Sequence, residues 1–163
     1  MKMRILAMLS ALAMASTVFA ATEGSDNAST YGGTWATGSG GASPAFGTWT
    51  INSGGGGFAG TFIGNPSSAG ISGMSATSFG MFANTNGSGA VVDAGRLFNG
   101  SLSVGQTFSF EWGINFDSGS DGAKGFHITS GGPNGTELIS VNNGGNSDIT
   151  VNGNNTGFGY GSA

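Results

Sequence analysis

The chain contains no cysteine and only three prolines, and Asp, Glu, Lys and Arg together make up just 7% of its residues. Without cysteine, disulfides, thiolate metal sites and thiol catalysis are all excluded. Basic residues are scarcest, four in the whole chain. Nucleic acids and anionic lipid surfaces are gripped by clustered Lys and Arg, so neither is an expected partner. Histidine occurs once, at His127, and a lone histidine forms neither a zinc site nor a catalytic triad. No nucleophile elbow, phosphate loop or zinc-protease motif is present. Helix signals are also thin, because glycine interrupts nearly every window that has apolar residues at three- and four-residue spacing.

What is abundant is glycine, 34 residues, together with twelve Phe, three Trp and two Tyr. Disordered chains of low charge and high glycine lack such aromatics, so this composition predicts a folded core. The opening MKMRILAMLSALAMASTVFA reads as a secretory signal peptide over 1–20. Lys2 and Arg4 supply its positive end, Ile5 to Ala15 its apolar run, and Val18-Phe19-Ala20 its cleavage site. The apolar run is shorter than the roughly 20 residues that span a bilayer, and no second long run follows, so no stable membrane span is expected. Taking 20 from 163 leaves 143 residues, read as one domain over 21–163. That domain keeps Arg96 and Lys124 against eight carboxylates, a formal charge of −6 (2 minus 8).

Alternation with period two recurs along this domain. In TFSFEWGINF (107–116), Phe108, Phe110, Trp112, Ile114 and Phe116 fall on one side of an extended chain, which predicts a strand buried on one face. Further strands are expected at Gly47 to Ile51, at FAGTFIG (58–64), at Ser78 to Ala83 and at Arg96 to Phe98. Gly125 to Ile128, Glu137 to Asn142 and Asp148 to Asn152 complete the set. INSGGGG, GNPSSAG, NTNGSG, DSGSDG, SGGPNG and NNGGN lie between them and read as turns. Gly60, Gly80 and Gly113 fall inside strands, where glycine marks a bulge or a close approach by another layer. The fold class expected is all-β, an antiparallel β-sandwich or jelly roll. No closing strand is expected in NTGFGYGSA, so the chain is expected to be incomplete at its C-terminus.

Candidate chemistry is sparse. Glu111 sits beside Trp112 on an apolar strand, the setting of a glycosidase acid, yet such enzymes need a second carboxylate facing the same cleft. Its same-face neighbours are Ser109 and Gly113, so the partner would come from elsewhere, with Glu137 and Asp148 as options. A solvent-facing strand residue is the alternative. Asp117 and Asp121 in DSGSDG leave an irregular calcium site open, although Gly119 and Ile128 break the helix-loop-helix calcium pattern. No cofactor is expected and no metal ligand is assigned. Flat aromatic rings on β-surfaces hold sugar faces by stacking on C–H groups, so Tyr31 and Trp35 are the candidate ligand-binding residues, with a core role as the alternative. Trp49, which shares a face with Ile51, is expected in the core.

Asp26, Asn27, Ala28, Tyr31 and Trp35, followed by Gly38-Ser39-Gly40-Gly41 and by Phe46-Gly47-x-Trp49-Thr50, form a pattern with a likeness elsewhere. It resembles the start of exported bacterial proteins that often carry a PEP-CTERM sorting tail. FAGTFIGNPSSAGI, SFGMFAN and LSVGQTFSFEWGINFD also look similar, the last to a strand of concanavalin-like or laminin G-like sandwiches. The resemblance implies a secreted or cell-surface protein associated with exopolysaccharide. It carries over no functional residue, and the Pro-Glu-Pro tail itself does not occur in this sequence.

The expected function is a secreted structural or adhesive module whose partner is extracellular polysaccharide or cell-surface matrix, bound through exposed aromatics. The alternatives are a jelly-roll glycoside hydrolase or lyase using Glu111, and a segment of a larger autotransporter or adhesin.

Overall fold

The computed structural model describes residues 24–40, 43–118 and 122–160. The leader read at 1–20 and the candidate ligand Asp121 lie outside these. The architecture is all-β and β-sandwich-like, with two antiparallel sheets. The first is a ribbon of β1 (Thr50–Gly64) and β2 (Ser78–Gly95). The second has strand order β3-β4-β5-β6, formed by β3 (Lys124–Ser130), β4 (Thr136–Asn143), β5 (Thr150–Val151) and β6 (Asn154–Asn155). Two 3-10 turns, Ala28–Tyr31 and Pro66–Ala69, complete the regular structure. No helix among the described residues is long and apolar enough to cross a membrane.

The ribbon is longer than the alternation predicts. INSGGGG and NTNGSG, read as turns, continue β1 and β2 instead. Strand pairing is made by backbone groups, which glycine supplies as well as any residue. Glycine's conformational freedom is used here for an irregularity, because the register shifts between Gly55 and Gly57, which have φ of 85° and 120°. A Cβ at Gly55 would stand 1.8 Å from the Gly89 carbonyl oxygen, so no side chain fits at that crossing.

The 107–116 segment has no regular secondary structure, bends at Asn115 and joins no ladder among the described residues. The expected burial of one face is met only in part, since Phe110 and Phe116 are exposed while Phe108 and Trp112 are half-buried. Phe108 stacks on Phe110 at 5.5 Å, Phe110 meets Phe126 of β3 edge-on at 4.4 Å, and Trp112 lies 5.8 Å from Phe126. On the other side, a Cβ at Gly113 would be 2.9 Å from Ile71 and 3.0 Å from Met74. Side chains, rather than backbone bonds, hold this segment between the second sheet and the 71–74 loop. Arg96 to Phe98 likewise forms no strand and contributes only an isolated bridge, Phe46 to Phe98.

After β5 the chain turns back on itself. Asn152 and Gly153 take φ of 49° and 75°, as a two-residue hairpin of primed type requires. They turn the chain into β6, which pairs with β5. Beyond it the Thr156 N–H bonds the Ile149 carbonyl at 3.0 Å, and the Ile149 N–H bonds the Phe158 carbonyl at 2.7 Å. A two-residue strand, β6, therefore lies beside β5, and the residues flanking it continue the pairing to Ile149.

Candidate functional site

The two residues singled out for binding are brought together, but they face inward. Asn27 caps the first 3-10 turn by accepting the Ser29 N–H at 2.9 Å, and Gly32 ends it at φ 62°. That turn aims the Tyr31 hydroxyl at Asp26, which accepts its hydrogen bond at 2.5 Å. The Trp49 indole donates to the same hydroxyl at 3.1 Å. Burial pushes the Tyr31 phenol above its ordinary pKa, and the hydrogen bond to Asp26 adds to the shift. Arg96 forms an ion pair with Asp26, and its guanidinium lies between the rings of Phe46 and Trp49, 4.5 and 4.7 Å from their centres.

Trp35 closes this cluster from within. It is 5% exposed and packs on Trp49 at 5.1 Å and on Phe79 at 4.8 Å. Its flanking Gly, Thr and Ser suggest a surface position, yet it has no ring face open to a sugar. Tyr31 meets Phe79 edge-on at 4.9 Å and is half-buried. Trp49 joins the same cluster, which is the core position its pairing with Ile51 predicts. Phe46, Phe98 and Phe108 extend the aromatic contacts at 5.0 to 6.3 Å, and Phe108 leads on to Phe110 and Phe126. These rings form a second group, joined to the first by the Arg96 guanidinium between Trp49 and Phe46, and together the two groups link the ribbon to the second sheet.

Open aromatic rings lie elsewhere: Phe110, Phe116, Phe158 and Tyr160 are exposed off the ribbon, and three more share one face of it. Phe58 is 78% exposed, Phe62 50% and Phe82 38%. The register explains their arrangement, because Phe62 stands opposite Gly80 and Phe82 opposite Gly60. A Cβ at Gly80 would meet the Phe62 ring at 2.3 Å, and one at Gly60 would meet the Phe82 ring at 3.3 Å. Each phenylalanine therefore lies over a bare glycine of the neighbouring strand, and the two rings sit 6.4 Å apart. Phe58 is four residues from Phe62 along β1, about 13 Å in an extended strand. The sequence carried a signal of this platform: alternating Phe and Gly on β1, and Gly60 and Gly80 marked as points of close approach. The approaching layer is the phenylalanine rings themselves.

The ionisable candidates fall apart spatially. Glu111 is exposed and accepts the Ser75 N–H at 3.4 Å. Two shallow clefts among the described residues are centred on Asp26 and Ser43 and on Arg96 and Asn99, and Glu111 lines neither. Asp117 is buried and saturated, accepting Lys124 Nζ at 2.7 Å and the Asn146 and Gly145 N–H groups at 2.9 and 3.2 Å. The Lys124 hydrogen bond holds its carboxyl below the usual range, burial opposes this, and the two backbone donors assist. The Lys124 ammonium neutralises this carboxyl directly. No cluster of three or more His, Asp or Glu suited to a metal is found among the described residues. Asp117 instead latches the 107–117 segment to the turn after β4. His127 is exposed on β3, on the side away from Phe126 and Ile128.

Compared with protein-family models, with curated proteins and with solved structures, the chain shows no match.

Proposed function

We propose that this protein is an extracellular structural or adhesive module that holds neutral polysaccharide on the Phe58–Phe62–Phe82 face. The observation that carries the proposal is three open rings, two of them seated over glycine, on one side of a long, nearly uncharged ribbon. Pyranose faces are apolar patches rimmed by hydroxyls, and they stack on flat rings while neighbouring amides and hydroxyls bond the rim. Asn84, opposite Phe58, supplies one such amide beside the rings. The aromatic role expected of Tyr31 and Trp35 thereby passes to phenylalanines, and the Tyr31–Trp35 cluster becomes their support from beneath.

Charge selects the class of glycan. Eight carboxylates face two basic residues outside the leader, and both of these, Arg96 and Lys124, are ion-paired. An acidic polysaccharide would meet net repulsion and a lack of cations, whereas a neutral one loses nothing. Export and a place at the cell surface are supported by the leader-like segment 1–20 and by the resemblance to PEP-CTERM-associated proteins. Electrophoresis through gels containing neutral or acidic polysaccharides tests the reading. Retardation in at least one neutral gel is expected, and unchanged mobility in all of them would refute it.

A further inference from the structure

The ribbon has two long edges, and they are not alike. Along β1, the segment before it stands guard. Thr37 Oγ1 accepts the Ile51 N–H at 2.9 Å and donates to the Ile51 carbonyl at 3.0 Å. Farther along, Thr61 reaches the Trp35 carbonyl only through its side chain, Oγ1 to O at 2.9 Å, so among the described residues the cover of the β1 backbone edge is confined to Ile51. Along β2, no backbone group bonds anything outside the ribbon among the described residues.

The orientation of the β2 groups follows from Ile51. Its N–H and carbonyl point away from β2, so the opposed pair Ile51–Ala94 exchanges no ladder bonds. In an antiparallel pair this state alternates, so Val92 opposite Ser53 and Ala90 opposite Gly55 also turn their backbone groups outward. Ala90, Val92 and Ala94 form a ready donor–acceptor row. The devices that normally block such an edge are lysine, proline, a short strand or a cover. Here β2 runs for 18 residues with no lysine or proline, and Asp93 is its only charge. Two strands are also fewer than a sheet needs to stand by itself.

We propose that the β2 edge pairs with the β2 edge of a second copy, antiparallel about a two-fold axis at Val91. The result is one four-stranded sheet, in the order β1-β2-β2-β1. Ala90 of each copy exchanges both backbone bonds with Val92 of the other, as their outward groups allow. Val91, 56% exposed in the single chain, then faces its own counterpart. Asp93 falls opposite Gly89, so the pairing brings no two like charges into register. A symmetric contact of this kind uses one patch twice and closes on itself. The inference stands apart from sugar binding, because it uses the edge of the ribbon rather than its Phe58–Phe62–Phe82 face.

The absence of cysteine makes the test clean. Directly opposed residues of a non-bonded pair have Cα atoms about 4.5 Å apart, within disulfide range. Val91→Cys, treated with oxidised glutathione as the electron acceptor, should convert to covalent dimer. Leu138→Cys, exposed on β4, should not. By light scattering the wild type should show dimer mass, and Val91→Lys should shift it to monomer while keeping the wild-type circular dichroism. Monomer mass for the wild type at every concentration reached would overturn the proposal. So would a dimer that Val91→Lys leaves intact, or cross-linking no greater at 91 than at 138.

Discussion

Removing the Arg96 side chain would strike the fold where most of its interactions converge. Its charge is about nine-tenths buried, as is that of Asp26, with side-chain exposures of 10% and 9%. Arg96→Ala deletes one partner of this pair and leaves the Asp26 carboxylate with only two neutral donors, the Tyr31 hydroxyl at 2.5 Å and the Asn27 N–H at 2.9 Å. Breaking a buried ion pair from one side costs about 3–5 kcal/mol. The two ring contacts, at 4.5 and 4.7 Å, would each add about 0.5–2 kcal/mol if independent. They share the same side chain, so the whole loss is set at about 4 kcal/mol. With a urea slope of about 1.5 kcal/mol per molar, the unfolding midpoint should fall by about 2–3 M. Trp35 and Trp49 lie in the cluster and report the transition by fluorescence. The double variant Asp26→Leu with Arg96→Met removes both charges together and should recover most of the loss, since the pair itself contributes little beyond its own desolvation. A midpoint shift under about 0.3 M for Arg96→Ala, the amount that a surface substitution of about 0.5 kcal/mol gives at this slope, would refute the reasoning.

Other perturbations have equally definite signs. Asp117 has a lowered folded pKa, so its contribution is complete above the ordinary carboxylate pKa and is lost as pH falls through the folded value; acid titration of stability should show this, and Asp117→Asn should flatten it. Tyr31 has a raised folded pKa, so its contribution is complete below pH 10 and is lost as pH rises through the folded value; alkaline unfolding of Tyr31→Phe should lose that dependence. Gly80→Val puts a side chain where the Phe62 ring lies, its Cβ only 2.3 Å from that ring, so it should weaken polysaccharide retention while the far-ultraviolet circular dichroism stays that of the wild type.

The parts of the fold that were legible are those where side chains alternate. FHI and LISV announce β3 and β4, and the structure pairs Phe126 with Val141 and Ile128 with Ile139. In 107–116 the same alternation brings Phe108, Phe110 and Trp112 into ring contacts, but Phe110 and Phe116 stay exposed, and a period of two says nothing of a ladder partner. The glycine runs of β1 and β2 were illegible because their pairing is wholly backbone, and the residues that signal turns there serve a register shift. Trp35 shows the limit of local context, since its small polar neighbours are compatible with a surface, while Phe79 and Trp49, distant in sequence, bury it. The Asp117 latch depends on Lys124 and on a turn 28 residues away, a meeting no motif encodes. The phenylalanine platform was half legible: the shared face of Phe58, Gly60 and Phe62 could be read, and its exposure could not.

The central claim is that this face, rather than the inward Tyr31 and Trp35 cluster, holds neutral polysaccharide. The most direct measurement compares the wild type with Phe58→Ala, Phe62→Ala and Phe82→Ala combined, in the neutral polysaccharide gel that retards the wild type most. Each ring is worth about 1 kcal/mol on the scale of aromatic contacts, so the triple variant should bind at least about a hundredfold more weakly and run unretarded. Retardation equal to that of the wild type, in a variant that keeps its circular dichroism, would contradict the account.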